Sequence, residues 1–498
     1  MNIGWASRDV SENGPVLITG QAHQRISTGV KDPTTITTLI MEEGQDYVVF
    51  LSADFTFAES FLLEEIKEVA QARIPGFDGD KIIFNATHTH TAPRYALHQA
   101  GYDKAPTDKV EIFPPAKYRT FLLEQIADAI VEAWSTKKPG SFSYGYGTAS
   151  VGQQRRVTFF SDKGAGNNKK GDTFAVNGHG VMYGNTNQPD FNSYEGPTDD
   201  NVNLLYTFDE AGKLTGAIIN VPCPSQCSEQ EFYTSADYWN EVRELIRQEY
   251  GDIYILPQCA AAGDLSPHVL HHKEALDRRL LLKYGEFPEG MVHPKRYWQR
   301  RDIAEKILQA FTECYLWASK EKFSHAPIIH TTNILALERW SVSEEAYADA
   351  KENYALLQQE SMVCTGEPLA DYKKNTMLGC NLQRYEAVME KYALNGKPVA
   401  TKIHTVRLGD LAFFSCPFEL YLAYQHRIQA RSPFVQTFVI QMAASDTREN
   451  FGYLPTEQAV ANKGYSAIVY SCNVSPAGGQ TMVDEAVKEL QKLWDKDA

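Results

Sequence analysis

Residues 82–95 read IIFNATHTHTAPRY, an apolar run that ends abruptly in two histidines separated by one threonine. The run at 82–86 predicts a strand buried within a sheet. On an extended backbone, residues i and i+2 point to the same side, so His88 and His90 would share one face. Ligands of α/β proteins bind where strands end, and two imidazoles there can bind a metal or transfer protons. The alternative is a structural pair that caps the strand.

Strand and helix patterns alternate on both sides of this run, which predicts an α/β fold with a mixed β-sheet core flanked by helices. Further strands are predicted at 34–43, 46–54, 253–259 and 435–442, and hairpins with a glycine turn at 201–222 and 402–417. Helices are predicted at 58–73, 116–136, 235–250, 298–318, 418–431 and 482–494. Residues 161–200 are rich in Gly, Asn and Asp and lack periodicity. We therefore predict one domain, 1–498, in which 161–200 is a loop insertion beside the active site or a surface excursion.

Composition narrows the class of protein. The chain has 498 residues and a formal net charge of −15, so we expect no nucleic-acid partner, which would need clustered Lys and Arg. Eight scattered cysteines indicate reduced thiols, and the sequence shows neither a basic–apolar leader nor an apolar run long enough to span a membrane. We expect a cytoplasmic protein that acts on a small molecule, and the sequence leaves its oligomeric state open.

The block NATHTHTAP (85–93) resembles a block of the neutral (non-lysosomal) ceramidase family, and other blocks of that family occur in the family's order. They are GWASRDVSENGPVLITGQ (4–21), QQRRV (153–157), AAAGDLSPH (260–268), CPFEL (416–420), GYLPT (452–456) and GYSA (464–467). The resemblance covers the family's catalytic domain, and we expect no C-terminal immunoglobulin-like domain.

The resemblance implies a hydrolase with one zinc ion. It implies three metal ligands, His88, Glu419 and Tyr453, and a catalytic serine, Ser266, acting as nucleophile or proton shuttle. It implies Arg155 and Tyr465 as groups that bind substrate or stabilise negative charge, and Gly20 as a glycine on the substrate side. From their positions around Ser266 we add Asp264, which would orient its loop, and His268, which would face the cleft. His90 would be free for proton transfer near neutral pH.

The sequence departs from the family at the second zinc-ligand histidine. The segment NVPCPSQCSEQ (220–230) contains no histidine, and Pro224 or Ser225 stands in its place. Three protein ligands and a water would suffice for a catalytic zinc. Otherwise the missing group is replaced by His90, His179, Cys223 or His268, or the metal is absent. Three polar residues just downstream could instead hold substrate groups such as sugar hydroxyls: Gln226, Glu229 and Asp237.

Each implied residue also has a structural interpretation. Glu419 could begin the predicted helix at 418–431, where acidic side chains favour the positive end of the dipole. Tyr453 and Tyr465 could be packed aromatics, Arg155 a surface charge, and Ser266 part of a turn.

Three functions follow from these alternatives. The first is a metal-dependent hydrolase acting on a soluble polar substrate, an N-acyl amide or related compound, and not on membrane ceramide. The second is a carbohydrate-active hydrolase or lyase on the same scaffold, in which Asp237, Asp264 and Glu419 do acid–base work. The third is a metal-free, non-catalytic binding protein.

Overall fold

The computed structural model describes residues 1–96, 111–445 and 452–496. Its strands form mostly where apolar and β-branched residues cluster. In chain order they are β1 (Asn2–Asp9), β2 (Leu17–Ile18), β3 (Arg25–Ile26), β4 (Thr35–Glu43), β5 (Asp46–Ala53), β6 (Ile82–Ala86), β7 (Lys138–Thr148), β8 (Gln153–Gln154), β9 (Arg156–Phe159), β10 (Gly180–Met182), β11 (Phe191–Tyr194), β12 (Asn201–Asp209), β13 (Leu214–Val221), β14 (Tyr254–Cys259), β15 (Leu265–Ser266), β16 (Ile328–Leu337), β17 (Val399–Leu408), β18 (Leu411–Ser415), β19 (Glu419–Leu420), β20 (Gln436–Ile440) and β21 (Tyr453–Leu454).

The helices pack one apolar face against the sheets, and several begin at a capping side chain. Ser343, Thr456 and Ser475 each accept a hydrogen bond from a backbone N–H in the first turn of their helix. In chain order the α-helices are α1 (Ser60–Arg73), α2 (Pro115–Ser135), α3 (Tyr238–Tyr250), α4 (Lys273–Tyr284), α5 (Pro294–Ala318), α6 (Glu344–Leu357), α7 (Pro368–Ala393), α8 (Leu422–Arg431), α9 (Glu457–Asn462) and α10 (Pro476–Asp495).

Eight strands form one mixed sheet in the order β14-β13-β12-β7-β1-β4-β5-β6. Only its outermost pairs, β13–β14 and β5–β6, are parallel among the described strands. The two ends of this sheet approach each other, because Ser52 Oγ and Asn85 Nδ2 both donate to the Pro257 carbonyl, at 2.6 and 3.2 Å. The sheet is therefore strongly curled, and its inner face is apolar.

A second sheet, in the order β16-β17-β18-β20, covers that inner face. Phe413 lies between the two sheets, with its ring 4.7 Å from Phe50 of the large sheet and 4.7 Å from Phe438 of its own. Helices α1, α2, α3 and α5 cover the outer face of the large sheet, and α8 and α10 that of the second. The fold is thus four layered, helices–sheet–sheet–helices.

The predicted α/β class and the mixed sheet are confirmed, as are the strands at 34–43 and 46–54 and both hairpins. The helix predicted at 418–431 begins only at Leu422, because Glu419 and Leu420 form β19. The helical pair α6–α7 has no counterpart in the prediction.

Across the described residues, every helix is too short or too polar to cross a lipid bilayer.

Candidate active site

The His-Thr-His segment leaves β6 in a conformation that differs from the prediction. β6 ends at Ala86, and His88 has a φ of +63°, so the backbone is left-handed here and not extended. His88 Nδ1 lies 2.7 Å from the Thr56 carbonyl oxygen. Because a carbonyl can only accept, Nδ1 carries the proton of the neutral ring, and Nε2 turns its lone pair into the site.

His90 nevertheless faces His88, with the two Nε2 atoms 3.2 Å apart. Gln226 orients its ring: the amide Oε1 lies 3.5 Å from Arg155 Nη1, and the amide Nε2 lies 2.8 Å from His90 Nε2, so the amide donates to the imidazole. Gly20 (φ +102°) packs on the same ring, and an added Cβ would lie 2.5 Å from His90 Cγ. The absence of a side chain at Gly20 therefore allows the His90 ring to occupy this position. Burial, and then the neighbouring His88, lower the pKa of His90 well below its ordinary value.

Glu419 and Tyr453 meet because they are register partners in the short parallel pair β19–β21. This pairing excludes the interpretation of Glu419 as the first residue of a helix. Glu419 Oε2 lies 3.5 Å from His88 Nε2, and the carboxylate is close enough to Tyr453 to act on the charge of its phenol. Burial, and then this carboxylate, raise the pKa of Tyr453 well above its usual range. Gly263 permits the close approach, since a Cβ there would lie 2.3 Å from the Glu419 carbonyl oxygen.

Arg155 supplies a buried positive charge to this group. Its Nη2 lies 2.8 Å from the Gly263 carbonyl oxygen, 3.3 Å from the Tyr453 hydroxyl and 3.8 Å from Glu419 Oε2. Burial opposes the charge, but Tyr453 and Tyr183 hold the pKa of Arg155 well above its usual range. The structure thus excludes the interpretation of Arg155 as a surface charge.

Tyr465 is held beside the site by the neighbouring arginine, Arg156. The Arg156 guanidinium donates to the carbonyl oxygens of Tyr465 (2.6 Å) and Lys463 (2.7 Å) and is paired with Glu195 (3.0 Å). The ring of Tyr465 lies 5.7 Å from that of Tyr453, edge to face. The predicted pair of tyrosines therefore comes together as expected.

Ser266 lies in β15, and its Oγ accepts a hydrogen bond from the backbone N–H of His268 at 3.0 Å. Ser266 also neighbours Tyr183, whose hydroxyl lies 3.5 Å from Arg155 Nη1. Tyr183 comes from the 161–200 segment, which thus reaches the site. Tyr183 could not be predicted from the sequence, because no motif or periodicity distinguishes this tyrosine within its segment.

The carboxylates of Asp264 and Asp237 hold loops in place. Asp264 accepts from the backbone N–H of Leu422 and from Gln154 Nε2, both at 2.9 Å. Asp237 begins α3, where it accepts from the N–H of Ser228 at 2.6 Å. Both carboxylates therefore hold loops in place, which is the role predicted for Asp264.

Two of the candidates for the missing ligand lie elsewhere. Cys223 is buried in the apolar core behind β13, with its Sγ 3.6 Å from the Val151 carbonyl oxygen. His179 is exposed, with its Nδ1 3.3 Å from the Phe159 carbonyl oxygen. In the described structure, the residue of segment 220–230 that contacts the His90 ring is Gln226.

Comparison with known proteins identifies the fold that carries these residues. No family model and no curated protein matches the sequence. The structure matches that of neutral ceramidase from Pseudomonas aeruginosa with a TM-score of 0.66 and 16% identity, over 99% of this chain and 74% of that one. The chain has the neutral ceramidase fold. A second match, a ceramidase complexed with C2, has a TM-score of 0.63 and 15% identity over 99% of this chain and 75% of that one.

Within this ceramidase fold, the donor set can be tested for its fit to a metal ion. His88 Nε2 and Glu419 Oε2 face each other as two acceptors, and such a pair needs a cation, a proton or a metal ion, between them. Tetrahedral zinc with bonds of 2.0–2.1 Å places its ligand atoms about 3.3 Å apart. His88 Nε2 and Glu419 Oε2 lie 3.5 Å apart, close to the separation of two ligands of one such ion.

The fit depends on a donor of another type. Over residues 1–96, 111–445 and 452–496, no group of three or more His, Cys, Asp and Glu side chains is arranged to hold a metal. The phenol of Tyr453, the register partner of Glu419, is an oxygen donor outside those four residue types.

A cavity of about 570 Å³ adjoins the site and includes Tyr183, Glu229 and His268 in its lining. His268 Nε2 lies 3.2 Å from Glu229 Oε1, so the predicted position of His268 on the cleft is consistent with the structure. Burial opposes ionisation of Glu229, but its hydrogen bond with His268 holds the pKa of that carboxyl well below its usual range.

Proposed function

We propose that this protein is a metal-dependent hydrolase that cleaves the amide bond of a soluble polar N-acyl compound. One observation carries the proposal: His88 Nε2 and Glu419 Oε2 face each other at 3.5 Å beside the buried Arg155. The match to two ceramidase structures supports hydrolysis as the class of reaction.

His88, Glu419 and Tyr453 would hold a single zinc ion, with Zn²⁺ the expected metal because its usual ligands are nitrogen and oxygen donors of this kind. When bound, the ion polarises a carbonyl oxygen and lowers the pKa of a bound water. The phenol of Tyr453 would then be easier to ionise than its burial alone allows.

The chain's own residues would divide the rest of the work. Arg155 Nη2 would stabilise negative charge that develops on the carbonyl oxygen. His90, seated by Gly20 and Gln226, would accept a proton through Nε2 and return it to the departing nitrogen. Ser266 Oγ, held by His268 and Tyr183, would attack the carbonyl carbon or relay the proton. In the net reaction water adds across the C–N bond, giving a carboxylic acid and an amine. Tyr465 would contact the substrate beside Tyr453.

The cavity favours a polar substrate over membrane ceramide. Ten of its fourteen lining residues have polar side chains, and the four apolar ones are Val269, Leu270, Leu276 and Leu280. Two aliphatic chains would displace water from those polar groups without replacing its hydrogen bonds, which costs free energy.

Variants and substrates together test this proposal. We expect release of free amine from short N-acyl amides, measured by mass spectrometry, and no turnover of ceramide in vesicles. Ser266→Ala and His88→Ala should each lower the rate by about 10³-fold or more. A chelator should abolish turnover and zinc restore it, while His179→Ala, which changes an exposed imidazole outside the site, should behave as the parent protein.

The other outcomes separate the alternatives. Turnover of glycosides but not amides would favour the carbohydrate-active hydrolase or lyase. Purified protein that holds no metal after incubation with zinc, and turns over neither class, would favour the non-catalytic binding protein. Full activity in both Ser266→Ala and His88→Ala would refute the site itself.

A further inference from the structure

The side chains that line the cavity beside Ser266 indicate which class of polar ligand it can bind. Its walls combine three cations, Lys273, Lys295 and Arg296, with two carboxylates, Asp277 and Glu229. Three amides add both donors and acceptors: Gln21, Gln230 and Gln299.

Most of these charges are already paired within the wall. Arg296 Nη1 and His268 Nε2 both lie 3.2 Å from Glu229 Oε1, and Lys295 forms an ion pair with Asp277. The summed charge of the lining is therefore small, and a multiply charged anion would find no concentrated positive field there. An aliphatic chain is equally disfavoured, because it would strip water from ten polar side chains.

A neutral ligand with many hydroxyl groups can form hydrogen bonds with the donors and acceptors of this lining. Each hydroxyl donates one hydrogen bond and accepts others, so it can bridge a carboxylate on one side and a cation or amide on the other. The rings of Tyr183 and His268, 6.0 Å apart, supply an aromatic surface for the C–H face of a sugar ring. The volume of about 570 Å³ is in the range of small-molecule sites.

We propose that this cavity binds the amine half of the substrate as a polyhydroxylated ring, so that the substrate is an N-acylated amino sugar. The inference rests on the proposed amide hydrolysis for its chemistry, but the binding it predicts can be measured without turnover. Tyr183 and His268 connect the two regions, because both contact Ser266 and both line the cavity. The acyl carbonyl would then lie toward Ser266 and Arg155, with the sugar hydroxyls toward Glu229 and Asp277.

Binding to the full-length protein tests the inference with two matched probes. N-acetylglucosamine and N-acetylcyclohexylamine share the amide and the six-membered ring, and only the first has hydroxyls. We expect calorimetry or ligand-observed NMR to show at least about tenfold tighter binding of the sugar, the gain of one charged hydrogen bond. Glu229→Gln and Asp277→Asn should each reduce that preference, whereas Glu352→Gln, at an exposed carboxylate far along the chain, should leave it unchanged.

Other binding results would overturn the inference. Equal affinity for the two probes, tighter binding of inorganic phosphate than of the sugar, or no binding of either ring would each contradict a sugar site. Thermal unfolding of each variant shows whether a lost preference reflects a lost fold. A variant that unfolds early is replaced by Glu229→Asp, which keeps the charge and should keep part of the preference.

Turnover of the same two amides separates this inference from the proposed function. If both hold, kcat/KM for the N-acyl sugar should exceed that for the cyclohexyl amide by about a hundredfold or more, since a site built for hydroxyls rejects an analogue without them. Equal turnover would refute the sugar site and keep amide hydrolysis. Selective binding of the sugar with no turnover of either amide would keep the sugar site and refute amide hydrolysis.

Discussion

Replacing Gly20 with alanine should displace His90 and lower activity far more than it lowers stability. The added Cβ would lie 2.5 Å from His90 Cγ and 2.7 Å from its Cα, so the ring and its backbone would have to retreat by about 1 Å to reach an ordinary contact. A displacement of about 1 Å in a reacting group can cost about a hundredfold in rate. We therefore expect kcat for amide hydrolysis to fall about a hundredfold in Gly20→Ala.

The expected loss of stability is modest by comparison. An alanine at the φ of +102° costs about 1–2 kcal/mol, and overpacking adds about 1–3 kcal/mol. Unfolding entropy of about 2 cal/mol/K per residue makes 1 kcal/mol correspond to about 1 °C in a chain of this length. The melting temperature should thus fall by about 2–5 °C, which leaves the protein folded at assay temperature.

Gly44→Ala is the matched control. Gly44 also has a positive φ, +65°, but an added Cβ there meets no heavy atom of the described chain within 4 Å. It should lose about 1–2 °C in melting temperature and keep full activity. Equal activity in Gly20→Ala and Gly44→Ala would refute the claim that the position of His90 matters to the reaction.

Three further predictions concern residues around the site and in the core. Tyr183→Phe removes the hydroxyl that meets Arg155 and Ser266, so kcat/KM should fall about tenfold to a hundredfold with an unchanged melting temperature; unaltered kinetics would exclude Tyr183 from the site. Arg156→Met leaves the buried Glu195 unpaired, so thermal unfolding should show a loss of about 3–5 kcal/mol, and a neutral result would contradict this role. Burial, and then Lys402, lower the pKa of His404 to about 3 from its ordinary 6.5, so the unfolded chain takes up this proton first as pH falls. The stability that His404 contributes is therefore fully present above pH 6.5 and lost as the pH falls toward 3. Urea titrations should show that the free energy of unfolding falls less steeply with decreasing pH in His404→Gln than in the parent protein. An equal decrease in both proteins would contradict this prediction.

The sequence predicts the strands of the sheet well because their burial leaves continuous apolar runs, as at β4 and β5. It does not predict the curling of the large sheet or the second sheet packed inside it, since these depend on contacts between distant strands such as that of Phe50 with Phe413. The pair α6–α7 was missed because its apolar residues are only weakly periodic.

In the site, too, the sequence predicted which residues are involved but not the backbone conformation that positions them. His88, Arg155, Glu419 and Tyr453, which lie in separate blocks of the sequence, are neighbours in the structure, and Tyr183 lies between Arg155 and Ser266. The prediction that His88 and His90 face each other assumed an extended backbone. They do face each other, but the backbone at His88 is left-handed. Local spacing could not reveal this, because the partner of the His88 ring is the carbonyl oxygen of Thr56, 32 residues away in the chain.

Element-resolved metal analysis of the purified protein tests the central claim that His88 and Glu419 share one cation. After exposure to zinc and removal of the excess, we predict about one zinc ion per chain in the parent protein and in His179→Ala, and little in His88→Ala and Glu419→Gln. A parent protein that binds no metal, or an undiminished metal content in both site variants, would contradict the account.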